Sequence, residues 1–194
     1  DVIHNGYAGS GSSVGWEART PNSVKCSQVG EGIDNVATEL GLSSGNDWGC
    51  DKFGLLRKAN LIITNVEAST VLSDAEKLEL AAHGYLMRGM IFFDQARLMG
   101  RFVPVRQVFT IEAPEEVKIP MTVNVSESYD IVIEDLSKAV KNLPTENLAG
   151  LPTRYAAGVL LSRAALQAYA YTKEDRYLDV AIEAANFVID ESGA

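Results

Sequence analysis

The segment from Asp74 to Met99 constrains the fold more than any other stretch. Leu78, Ala82, Tyr85, Gly89, Phe92, Ala96 and Met99 follow a 4-3-4-3-4-3 spacing, which places them on one face of a helix. Leu80, Gly84, Met87, Ile91 and Leu98 form a second stripe about 200° away by the 3.6-residue period. A helix apolar on opposite faces must be covered on both, so it belongs inside a layered helical stack, with Gly84 and Gly89 admitting close neighbours. Ser73 followed by Glu76 is a capping box, and Gly100 then Pro104 supply the stop.

Four further helices are readable around it. Cys50 to about Ala68 carries Phe53, Leu56, Ala59, Leu61 and Ile63. The next runs from Ser126 or Glu127 to Leu143, with Ser126 read as N-cap and Tyr129 standing where a capping-box Glu would be. Thr153 to Tyr171 is rich in Ala and Leu, and Glu174 to Asp190 repeats small residues at Ala181, Ala184 and Ala185. The connections are short except Arg101 to Val125, whose valines and three prolines predict an extended run with room for a short strand or two. Paired helices with Ala and Gly at their crossings mark a tetratricopeptide-like repeat stack, although the 34-residue spacing is irregular. The expected fold is therefore all-α. Residues 1–49 hold nine of the 16 glycines and seven serines and read as a loop-rich segment, with one short helix around Ile33 to Leu40; residues 50–194 form the helical scaffold.

Composition excludes several functions. With 26 acidic against 17 basic side chains, the formal charge of −9 has the wrong sign for displacing counterions from nucleic-acid phosphates or for an anionic membrane surface. No stretch approaches the roughly 18 consecutive apolar residues of a membrane span. The opening Asp1-Val2-Ile3-His4-Asn5 is not a signal sequence, and any targeting segment is expected to have been removed. Cys26 and Cys50 form one disulfide loop in an oxidising compartment or remain two buried thiols.

Motifs for catalysis and metal binding are weak. Gly11-Ser12-Ser13-Val14-Gly15 has the letters of a nucleophile elbow, but it sits in a Gly-Ser tract, and the one downstream histidine, His83, lies within a helix. No catalytic residue, metal site or cofactor is assigned. Two histidines without HExxH do not make a zinc site. Asp130, Glu134 and Asp135 read as a solvated helix face, and Asp47 and Asp51, with Asn46, as charges before the first helix rather than calcium ligands. Arg88, set among apolar neighbours, needs carboxylates or helix C-terminal carbonyls as structural partners.

The aromatic signal lies in the glycine-rich front. Trp16 and Trp48 are the only tryptophans, with Tyr7 nearby in sequence. An exposed indole beside amide and carboxylate groups suits a sugar ring: the ring face takes the C–H surface while Asn46 and Asp47 bond the hydroxyls. Trp48 packing over the first helix as a hydrophobic staple is the structural alternative.

Several blocks in order resemble the SusD/RagB nutrient-binding lipoproteins of Bacteroidetes. Phe53 to Asn60, after Trp48, is similar to the family's aromatic-to-Ala-Asn segment. Leu86-Met87-Arg88-Gly89 with Phe92-Phe93 resembles its Leu-Arg-Ala helix, and Gly100 to Pro104-Val105 the turn after it. Tyr129-Asp130 through Asp135-Leu136 to Leu143-Pro144, Thr153 to Ala164, and Tyr177 to Gly193 resemble the blocks that follow. His83 stands where the family usually has Glu, and Gly89 where Ala is common.

The resemblance implies the N-terminal portion of a longer, non-enzymatic surface lipoprotein of the outer membrane, anchored through a lipidated cysteine upstream of residue 1. It implies capture of oligosaccharides for a TonB-dependent SusC-like transporter, with at most part of the ligand site in this chain; the aromatic reading of the front segment makes Trp48, Asn46, Asp47, Trp16 and Tyr7 the expected ligand-binding residues. The rival readings are a tetratricopeptide-like interaction scaffold that binds no ligand itself and a peptide-binding RagB-like branch.

Overall fold

The computed structural model describes residues 52–110 and 118–193, and Leu56–Ala194 forms one compact unit. The described residues contain five helices and no strand: α1 (Phe53–Glu67), α2 (Asp74–Met99), α3 (Val125–Asn142), α4 (Arg154–Thr172) and α5 (Asp175–Glu191). Helix α2 packs on α3, α3 on α4 and α4 on α5. The result is an all-helical repeat stack, as the apolar periodicity requires.

Helix α2 begins and ends where its sequence dictates. Ser73 accepts from the Glu76 amide while the Glu76 carboxylate accepts from the Ser73 amide at 2.8 Å, closing the capping box. Gly100 ends the helix at φ 72°, a left-handed conformation that glycine adopts without strain. The two apolar stripes are covered along the middle of the helix by different neighbours. A methyl group on Gly84 would lie 2.7 Å from Ile63 Cγ1 and 3.2 Å from the Ala59 carbonyl of α1, and one on Gly89 would lie 2.8 Å from Leu136 Cδ2 of α3. Each glycine thus leaves room for a neighbouring helix at a place where a side chain would collide with it. The stripes are not covered at their ends: Leu78, Leu80 and Met99 are exposed.

Three local expectations are corrected. Lys52 is not helical, so α1 begins at Phe53, after the expected Cys50 start. The N-cap of α3 is Asn124 rather than Ser126: its side chain accepts from the Glu127 amide at 2.8 Å, and Glu127 in turn accepts from the Val123 amide. Ser126 is then free to hydrogen-bond Glu174 at the start of α5. The third concerns the connection after α2, which is extended but forms no strand among its described residues. Its carbonyls are already engaged by side chains: Asn60 donates to Val105 and Gln107, Arg88 to Arg106, and Arg57 to Phe109.

The core runs through Leu56, Ala59, Phe92, Tyr129, Val132, Leu136, Ala164 and Ala168, all fully buried. Tyr129 is unusual there, because its hydroxyl is buried with no hydrogen-bond partner among the described residues and burial pushes its pKa well up. Leaving a buried hydroxyl unsatisfied costs about 1–3 kcal/mol, whereas the ring itself is well packed. Tyr129→Phe is therefore expected to stabilise the chain by about 1 kcal/mol, read as a raised urea midpoint at unchanged m-value.

Candidate functional site

The predicted ligand residues Trp48, Asn46, Asp47, Trp16 and Tyr7 lie outside the described residues, as do Cys26, Cys50, Asp51, the Gly11–Gly15 motif, the short helix around Ile33 to Leu40 and the boundary at residue 49. Among the described residues, the buried polar contacts converge on Arg88.

Arg88 occupies the α3-facing side of α2 and is almost wholly buried. Its Nε lies 2.7 Å from Asp135 Oδ2 and its Nη2 2.9 Å from Asp135 Oδ1, a bidentate fork, while Nη1 donates to Asn60 Oδ1 at 3.0 Å and to the Arg106 carbonyl at 3.3 Å. The carboxylate expected as a partner is therefore present. Asp135 itself has no exposure, which corrects its reading as a solvated group. Asp130 and Glu134 do face water: Asp130 pairs with Arg176 at 2.8 Å, and Glu134 with Arg106 and Lys138, each at 2.7 Å. Although burial alone would raise the Glu134 pKa, hydrogen bonds from Lys138 and Arg106 hold it below the usual carboxylate value.

Asn60 completes the centre in a way that sequence reasoning missed. Its amide oxygen accepts from Arg88, and its amide nitrogen donates to the carbonyls of Val105 at 2.9 Å and Gln107 at 3.2 Å. A primary amide offers an acceptor oxygen and two N–H donors at one position; a carboxylate would accept but not donate. Its position one residue after Ala59, on the buried face of α1, is the signal that was available.

Two grooves flank the C-terminal half of α3. The first, about 520 Å³, is lined by Glu67, Lys77, Leu78, Tyr85, Lys138 and Asn142 among others. The Tyr85 hydroxyl donates to Glu67 at 2.6 Å, and its ring lies under the Lys138 ammonium at 4.8 Å. Burial first, then the Glu67 hydrogen bond, push the Tyr85 phenol up to about 12, so it stays protonated at physiological pH. The second groove, about 380 Å³, centres on Phe187, which stacks on Tyr155 at 5.6 Å with Arg154 5.0 Å above its ring. Both aromatic rings are thus engaged by cations of the protein itself. His83 is half-buried, and burial, opposed by Glu79, lowers its pKa. Among the described residues no cluster of His, Cys, Asp or Glu is arranged to hold a metal, and no helix is long and apolar enough to cross a membrane. The arrangement is one of positioning and packing.

Comparison with known proteins places this scaffold. Residues 26–166 match the model of a SusD-like family described as starch-binding and associating with the outer membrane. No curated protein sequence matches the chain. Among solved structures, a SusD-like protein from Bacteroides fragilis superposes with a TM-score of 0.62 at 27% identity, over 76% of this chain and 28% of its own. Two more distant proteins share the fold: one solved with a xylogluco-oligosaccharide (TM-score 0.64, 24% identity, 77% of this chain and 30% of its own), and a SusD-like carbohydrate binding protein from Bacteroides vulgatus (TM-score 0.56, 19% identity, 86% and 38%). The chain therefore spans only 28–38% of the length of these proteins. With the family's model matched along residues 26–166, well over half of the sequence, this protein belongs to the SusD-like family.

Proposed function

We propose that the chain is part of a cell-surface glycan-capture protein of the outer membrane, which binds oligosaccharide without chemical turnover and passes it to a TonB-dependent SusC-like transporter. The observation that carries this reading is the match to a family described as starch-binding and associating with the outer membrane. An anchor upstream of residue 1 would hold the protein at the surface, and the acidic chain leaves neutral glycans as fitting ligands. In this reading Trp48 stacks on a pyranose face, Trp16 and Tyr7 extend the aromatic surface, and Asn46 and Asp47 bond the hydroxyls.

Titration of the chain with maltoheptaose, followed by tryptophan fluorescence, tests this directly. Trp48→Ala is expected to weaken binding about tenfold or more, equivalent to ~1.4 kcal/mol, with Trp16 remaining as reporter. Absence of any response to maltoheptaose, xylogluco-oligosaccharide or laminarin fragments in the parent chain would overturn the glycan reading. Capture of a transporter under the same conditions, with no sugar response, would favour the interaction-scaffold reading. Val159, Leu166, Ile182 and Ile189, exposed on α4 and α5, are the apolar side chains such a scaffold would use.

A further inference from the structure

Residues 103–110 are attached to the molecule in an unusual manner. No strand or helix carries them, and the residues from Val103 to Phe109 are half-buried or, at Gln107, exposed. Five of their carbonyls nevertheless accept hydrogen bonds: Val103 from the Val105 amide within the segment, and the four that tie it to the helices from side chains of α1 or α2, Val105 and Gln107 from Asn60, Arg106 from Arg88 and Phe109 from Arg57. On the outer side, Arg106 pairs with Glu134 at 2.7 Å and lies 3.5 Å from Asp135. The segment starts from a fixed point. Phe102 is buried against Phe92, its carbonyl accepts from the Thr122 amide at 3.0 Å, and its amide donates to Thr122 Oγ1 at 3.2 Å.

We propose that residues 103–110 are a strap, hinged at Phe102 and latched by Asn60, which opens as a unit while the helical stack stays folded. A backbone ladder resists opening along its whole length, whereas this strap is held by a few side-chain donors whose own positions are fixed by the helices. Asn60 is the latch because it supplies two of the four inner contacts. Arg88 is a positioning residue: Asp135 anchors its guanidinium, and the guanidinium in turn orients the Asn60 amide through Oδ1. Opening admits water to the Arg88–Asp135 pair, which hydrates a charge fork rather than an apolar core and so limits the cost of the open state.

Limited trypsin digestion of the full chain, with the cut after Arg106 followed by mass spectrometry, tests the strap, because the latching bonds fall on its carbonyls and the Arg106 side chain is held by Glu134 while the strap is closed. Asn60→Asp keeps an acceptor for Arg88 but removes both donors to the strap. Cleavage after Arg106 is expected to rise about tenfold, corresponding to two hydrogen bonds of ordinary net strength, with cleavage at the lysines and arginines of α2 and α3 unchanged. Arg57→Ala, an exposed change that leaves the core intact, removes one of the contacts and is expected to raise the same cleavage about threefold. The proposal is overturned if cleavage after Arg106 is unchanged in Asn60→Asp, or if sites in α2 and α3 accelerate in step with it. Should Asn60→Asp not fold, unchanged cleavage in Arg57→Ala decides against the strap, and a rise at Arg106 with α2 and α3 still protected decides for it.

Discussion

Asp135→Ala is expected to lower the stability of the chain by about 3–5 kcal/mol, because it strands a guanidinium that has almost no access to water. Arg88 would keep the neutral Asn60 oxygen, the Arg106 carbonyl and the face of the Tyr85 ring 5.2 Å away, none of which offsets a buried charge as a carboxylate does. Against a typical total of about 5–15 kcal/mol for a domain, such a loss leaves a marginal fold. The pair itself is a different matter. Desolvating both ions costs about as much as their attraction returns, so Arg88→Met combined with Asp135→Leu is expected to recover most of what Asp135→Ala alone forfeits. Urea unfolding of the parent, Arg88→Met, Asp135→Leu and the double variant gives the coupling energy directly. A loss below about 1 kcal/mol in Asp135→Ala, the range of exposed ion pairs, would mean that water reaches the fork.

That one carboxylate also shows how far the sequence is legible. Helix α2 can be read from its residues almost completely, since the Ser73 and Glu76 cap, the Gly100 stop and the two apolar stripes are all local signals. Its glycines correctly mark two separate helix contacts. Asp135 is misread because charge outweighs position when each residue is judged alone. It shares a stripe with Ser128, Val132 and Ala139, all buried, whereas Asp130 and Glu134 do not. Arg88 within an apolar helix demands a carboxylate on an otherwise apolar stripe, and that pairing rule selects Asp135 from the three. The strap is illegible for a related reason: prolines and valines announce an extended chain, but its partners Asn60 and Arg88 lie 45 and 18 residues away. The aromatic reading of Trp48 and Trp16 rests on composition and family resemblance, because the sugar geometry it invokes depends on how distant loops converge.

Phe92→Ala is expected to be about as costly as the loss of Asp135, at about 3–5 kcal/mol, through a different mechanism. Phe92 has no exposed surface, so truncation removes a large apolar side chain and leaves a cavity that α2, closely packed on both sides, cannot collapse to fill. It also removes the ring on which Phe102 stacks at 4.8 Å and 20°, and with it the fixed end of the strap. Phe187 is the internal control. It too stacks on an aromatic ring, Tyr155, but it is half-buried at a groove, and Phe187→Ala is expected to cost less than half as much because the remaining site can hydrate. Thermal or urea unfolding ranks the two. The tryptic cleavage profiles should differ in kind as well: Phe92→Ala speeds cleavage throughout the stack together with the strap, whereas Asn60→Asp speeds it after Arg106 alone. If Phe92→Ala released only residues 103–110, the ring would be part of the latch rather than of the core, and the hinge would have to lie on the helix side of Phe102.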